Sequence, residues 1–301
     1  AGQFRLNDNG LVQTVTGQTL QGQRVTNGTV SSTVESIDLA GVQSSPEATT
    51  SFTLGANLDA SSSAAATFNS PISIYNSVGT QVTASIQFTK VDGANSWTYN
   101  ISTSEGTLTS GASGTVSFDN SGNLTSPATD PSIVIDYSAS ASPALTQTLS
   151  WDLVNSSGTT NGKLTGFAAA SNNNSLVQDG FSTGTLVGLT TDSTGIISGL
   201  FNNGQTDKLF QVTLGDFLAP TGLQRAGANL FSETADSGQV VLGTAGTGGF
   251  GGITGQSLEL SNVDLAEQFV TMIQTQQAFQ ASARIITTAD DLMTEAVNLV
   301  R

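Results

Sequence analysis

The sequence contains neither cysteine nor histidine. Ser-His-Asp and Cys-His nucleophile systems, His-ligated zinc and structural disulfides therefore cannot be built from this chain. A chain without cysteine fits an exported protein that holds together without disulfides, although many cytosolic chains also lack it. Basic residues are almost as scarce. Arg5, Arg24, Lys90, Lys163, Lys208, Arg225, Arg284 and Arg301 are scattered among 23 acidic residues, and the net charge is −15. With no basic cluster, nucleic acid and anionic membranes are poor partners. No apolar run approaches the roughly 18 residues of a membrane span, and residues 1–5 carry no charged or apolar region of a signal peptide.

What fills the chain is Ser, Thr, Asn and 33 Gly beside 37% hydrophobic residues, with only 10% charged. Such a composition favours many short strands and turns over long helices. The 301 residues suffice for two domains and appendages.

Period-two alternation recurs along the first 215 residues. Phe52, Leu54, Ala56 and Leu58 alternate with polar or small residues, as do Val82, Ala84, Ile86 and Phe88. The pattern returns at Trp97, Tyr99 and Ile101, at Val116 and Phe118, at Ile133, Ile135 and Tyr137, at Leu149, Trp151 and Leu153, and at Phe210, Val212 and Leu214. These are half-buried strands. Clusters such as Asn7–Gly10, Asp119–Gly122 and Asp192–Gly195 punctuate them as hairpin turns. The opening, from Phe4 to Leu11, reads as a hairpin. Because the chain starts almost on that strand and without Met, we read it as a fragment lacking an N-terminal element.

The expected fold class is mainly β: two β domains, one inserted in the other, plus a long C-terminal α-helix of coiled-coil type. Residues 1–60 are the first part of the core β domain and 61–182 the inserted outer β domain, a sandwich or barrel holding both Trp residues. Residues 183–243 complete the core domain, 244–261 form a glycine-rich linker, and 262–301 form the helix.

The periodicity changes after the glycines. Leu265, Phe269, Met272, Gln276, Phe279, Ala283, Ile286, Asp290, Met293, Val297 and Val300 are spaced four and three apart without a break, in a segment free of Gly and Pro. Asp264 and Glu267 supply a capping box at its start. Five heptads of a and d positions predict one helix with an apolar seam for other helices rather than a face for its own β domain. Gln276 and Asp290 stand in the seam either to fix register or because they face an open lumen.

Other motifs carry less. Gly246–Gly251 matches the Gly-x-Gly-x-x-Gly pattern, but no helix opens after it and no βαβ unit surrounds it, so a linker is the reading and no cofactor is expected. The turns at Asp8, Asp119 and Asp192 lack the alternating ligands of a calcium loop, and no metal is expected. No spacing singles out a pair among the carboxylates for glycoside hydrolysis. Trp97, Tyr99 and Trp151 are core residues by their alternation, rather than a platform for sugars. No catalytic residue is assigned, and the chain is not expected to be an enzyme.

The stretch from Ser261 to Asp290 resembles the signature shared by bacterial flagellar axial proteins of the rod and hook. Asp192–Gly204, Gly227–Gly238 and Leu242–Gly251 resemble the same family. Within it, the long β region with Phe68–Val91 and Phe118–Leu124 is similar to hook proteins, whereas rod proteins are generally shorter there. The resemblance implies a secreted structural subunit of the flagellar hook, a flexible tube that transmits torque from rod to filament. It implies an N-terminal helix pairing with the C-terminal one, and a homopolymer. The other partners implied are rod, hook cap and hook-filament junction proteins and the flagellar export apparatus. A distal rod protein is the alternative; a β-rich extracellular carbohydrate-binding or hydrolytic protein is the competing class.

Overall fold

The alternating stretches form strands whose apolar sides turn inward, in a computed structural model that describes residues 2–140 and 144–299. In Gln81–Lys90, Val82, Ala84, Ile86 and Phe88 are buried while Thr83, Gln87 and their like face out. This strand pairs antiparallel with Thr67–Tyr75 on one side and Ser96–Thr103 on the other. Ser113–Phe118 and Leu124–Ser126 complete a five-stranded sheet.

A six-stranded sheet faces it. Its order is Thr107–Ser110, Ser132–Asp136, Gln147–Trp151, Ser51–Asn57 and Leu164–Thr165, with Asn172–Gln178 along the other edge of Ser51–Asn57. Residues of both sheets share one core. Trp151 lies at its centre, stacked on Phe52 at 5.9 Å with Tyr99 edge-on at 5.3 Å. Trp97 and Trp151 are 1% and 0% exposed, so neither indole offers a face to a sugar.

A seven-stranded sheet draws on both sides of this sandwich in sequence. Thr29–Ser36, Gln21–Thr26, Thr206–Asp216, Ile196–Phe201, Gly184–Thr191 and Gln43–Ser44 are neighbours in that order, and Val241–Thr244 also pairs Thr206–Asp216. Val12, Ile37, Leu39, Ile197 and Phe210 form its core. Ser51–Asn57, which the sequence reading groups with residues 1–60, belongs to the sandwich. Alternation reports that a strand is half-buried, not which sheet buries it.

The turns repeat one device. The Asp119 carboxylate accepts the N–H groups of Ser121 and Asn123, both at 2.8 Å, and that of Asp192 accepts those of Thr194 and Ile196, both at 2.9 Å. The fourth residue of each is Gly122 or Gly195 at φ +79° and +80°, where a side chain would be strained. In the first hairpin Asn7, not Asp8, plays that part, accepting from Asn9 and Leu11.

The glycine-rich stretch is not a free linker. Thr244 to Gly251 turns on itself, and a side chain at Gly243 would meet the Phe250 ring at 2.2 Å. The Ile253 N–H donates to Ser193 O at 3.0 Å, and a side chain at Gly255 would meet Thr191 O at 2.4 Å. The glycines allow close backbone packing against the hairpin at 191–195, a use that composition does not distinguish from flexibility.

Phe4–Gln256 form one compact unit; the C-terminal helix belongs to a second.

Candidate assembly surface

The helix, α1, runs Leu265–Leu299, 35 residues. It begins three residues after position 262 because Asp264 is its cap, with Oδ1 accepting the Ala266 N–H at 2.8 Å and O accepting that of Gln268. Its hydroxyls bond its own backbone: Thr275 donates to Thr271 O, Ser282 to Ala278 O, Thr288 to Arg284 O and Thr294 to Asp290 O, at 2.8–3.0 Å. A partner can cover these residues without stranding a donor.

None of the described side chains of α1 is buried. Of the predicted seam residues, Leu265, Phe269, Met272, Phe279, Ile286 and Met293 are 48–76% exposed. Gln276, Ala283 and Asp290 stand between them and are also exposed. At 100° per residue these nine positions follow one line that drifts about 20° per heptad. A straight partner would lose register with that line; a supercoiled one would keep it. The structure describes no coiled-coil pair. Val300 lies outside the described residues, as does the side chain of Val297.

A second line was missed. Ile285 and Leu292, 67% and 72% exposed, lie about 130° round the helix from the first. Ala278 and Ala281 precede them on that side, and Gln277, Gln280, Arg284, Asp291 and Glu295 fill the polar sector between the two lines. The seven-residue step from Ile285 to Leu292 was the available signal. A single-stripe template passes over it because adjacent Ile285 and Ile286 serve different faces.

A groove of about 530 Å³ opens beside Gly55 between Lys163, Phe167, Asn172 and Asn174, and no carboxylate lines it. The one buried amide there, Asn57, is already engaged: Nδ2 donates to Ala169 O at 2.7 Å, and Oδ1 accepts from Thr165 Oγ1 and Phe167 N. Among the described residues no group of three or more His, Cys, Asp or Glu could hold a metal ion, and no helix is long and apolar enough to cross a membrane.

Residues 42–181 match the family model described as flagellar basal body protein FlaE D2 domain, and residues 254–299 that described as flagellar basal body rod FlgEFG protein C-terminal. The chain is similar to the flagellar hook protein FlgE of Helicobacter pylori, 34% identical over 254 residues that cover 81% of this chain and 34% of that one. It is similar also to the flagellar hook protein FlgE of Escherichia coli strain K12, 34% identical over 229 residues, 76% of this chain and 54% of that one. Among solved structures, the crystal structure of Helicobacter pylori flagellar hook protein FlgE2 aligns with a TM-score of 0.49 at 12% identity, over 81% of this chain and 87% of that one. The chain thus spans between a third and about half of the length of these two curated relatives.

Proposed function

Since this chain belongs to the flagellar hook protein family, we propose that it is a structural, non-enzymatic subunit of the bacterial flagellar hook, polymerising into a flexible tube that transmits torque from rod to filament. The observation that carries this reading is the exposed apolar line on α1.

Burying its six large side chains at about 1.5–3 kcal/mol each stabilises an assembly by on the order of 10 kcal/mol. Association of two bodies costs about 4–15 kcal/mol. The share of this helix alone is therefore of the same size as that cost, the side chains of its partner add to it, and a tube lets each subunit meet several neighbours at once. The second apolar line supplies another face for such contacts.

The β surfaces have the complementary property. The ion pair Arg24–Glu35, 2.8 Å long, lies at the surface, where such pairs contribute little. Polar, sparsely charged surfaces can slide past one another without breaking strong bonds. Firm contacts along α1 and weak ones between β bodies are what a bendable joint needs.

Hook is preferred to distal rod because residues 42–181 match the D2 model and the relatives reported above are hook proteins. Export through the flagellar channel, and neighbours in the rod, hook cap and hook-filament junction, follow from the same reading. The test compares this chain with one that also carries the family's N-terminal helix, by negative-stain microscopy. Tubes are expected from the longer chain; tubes from this chain alone, or none from the longer one, contradict the mechanism.

A further inference from the structure

The sandwich is joined to the seven-stranded sheet by two chain crossings, which run side by side. Gln43 and Ser44 pair Thr185 and Gly184, and Glu47 and Phe181 exchange backbone hydrogen bonds of 3.0 and 2.9 Å. Phe52 then pairs Gln178. Between these pairs one crossing has five steps, 47 to 52, and the other three, 181 to 178. The two extra residues form a bulge, and a bulge leaves backbone groups without ladder partners.

Side chains fill that deficit from both sides. On the outer side the Asp179 carboxylate accepts the N–H groups of Thr50 at 2.8 Å and Ser51 at 3.1 Å, and the hydroxyls of Thr50 at 2.5 Å and Ser51 at 3.1 Å. On the inner side Thr49, 0% exposed, donates its N–H to Tyr75 O, accepts the Tyr75 N–H on Oγ1, and donates that hydroxyl to Gln178 Oε1. The buried Gln147 amide donates to Thr49 O at 2.6 Å and accepts from the Tyr137 hydroxyl. The Gly180 α-carbon lies so close to Thr49 that a side chain would meet Thr49 backbone N at 2.6 Å. The ribbon is braced at each end, by Gly79 against Pro46 on the sandwich side and by Asn203 donating to Ser182 O at 2.8 Å on the other.

We propose that Thr49 and Asp179 clip this bulged ribbon into a stiff strut, so that the sandwich and the seven-stranded sheet move as one body. A bulge without such partners is a natural hinge, because its amides exchange protein partners for water at little cost. Here the amides of Thr50 and Ser51 are held by the Asp179 carboxylate of the opposite crossing, the Thr49 carbonyl by the Gln147 side chain, and the Thr49 amide and Thr50 carbonyl by the backbones of Tyr75 and Ser150 in the sandwich. For the tube, this takes the junction of the sandwich and the seven-stranded sheet out of the set of places that bend; that consequence rests on the proposed role as a hook subunit, whereas the stiffness itself does not.

The chain has no cysteine, so S32C and T115C place spin labels at two exposed sites, one in each sheet system, without interference. The expected wild-type result is a single narrow distance distribution in the monomer. Asp179→Ala should raise hydrogen exchange at Thr50 and Ser51 about tenfold, roughly the loss of one charge-assisted bond. Adding Thr49→Val should broaden the distance distribution while exchange within residues 81–103 stays unchanged. A broad distribution in the wild type, or an unchanged width in the folded double variant, would overturn the strut. If the double variant does not fold, Asp179→Ala alone decides, since an unaltered width together with unaltered exchange refutes the clip. Tube formation plays no part in these readings, so they stand or fall apart from the assembly proposal.

Discussion

The carboxylates with well-defined work in this molecule hold backbone turns, and their chemistry predicts a pH response. The Asp119 carboxyl is held below its usual range by the Asn123 N–H first and its side chain second, and Asp192 by the Thr194 hydroxyl first. At Asp179 partial burial pushes the carboxyl up, but the bonds from Thr50 and Ser51 outweigh it and the net direction is down. A folded-state pKa below the unfolded one contributes stability that is present above the ordinary Asp value of about 3.9 and is lost as pH falls through the folded value. With no histidine, nothing in the chain ordinarily titrates near pH 6.5. The urea midpoint should therefore vary little between about pH 5 and pH 8 and drop below about pH 4, with a shallower drop in D119N/D192N. Coincident midpoints at pH 3 and pH 7 would show that these bonds contribute nothing.

At the scale of elements, the glycine-rich segment is the sharpest case. Gly243 is required by contact and not by flexibility: a methyl there would meet the Phe250 ring. Gly243→Ala should expel the ring, cost about 1–3 kcal/mol, and free the Ile253 amide from Ser193 O. Amide exchange at Ile253 reads this directly; if it stays protected, the segment is anchored by something other than the ring. The alternating strands and the Asx turns of the sandwich were legible because alternation, Asx residues and following glycines are local signals, whereas Thr107–Ser110 and Asn172–Gln178 carry no apolar alternation and were not. Trp97, Tyr99 and Trp151 went to the core as their alternation required. The membership of Ser51–Asn57 and the docking of residues 244–255 were not legible, because both depend on partners distant in sequence.

For the whole molecule, the proposed assembly surface is α1. In a chain carrying the family's N-terminal helix, Phe279→Asp puts a charge into the first apolar line and should abolish tubes. Gln277→Glu, in the polar sector, should leave them intact. Pelleting and negative-stain microscopy distinguish the two; tubes from F279D would mean that the line is not the seam. Ile285→Asp asks the same of the second line, and an effect as large as that of F279D is expected if the helix is covered on both sides. The apolar line from Leu265 to Met293 was visible in the sequence, since a four-three repeat is a property of one helix; its use as a seam is the proposal these variants test. What covers it was not, since that is a property of the assembly.

The sequence by itself determined the strands, the hairpin turns, the capped helix and its main apolar line, because each depends on residues within a few positions of one another. Only the tertiary structure decided that the glycine run is packed, that Ser51–Asn57 belongs to the sandwich, and that a threonine and an aspartate 130 positions apart close one bulge. The physical reason is reach. Local periodicity and turn chemistry act along the chain, whereas close backbone approach and the pairing of orphaned amides are fixed by whichever segment the fold brings alongside.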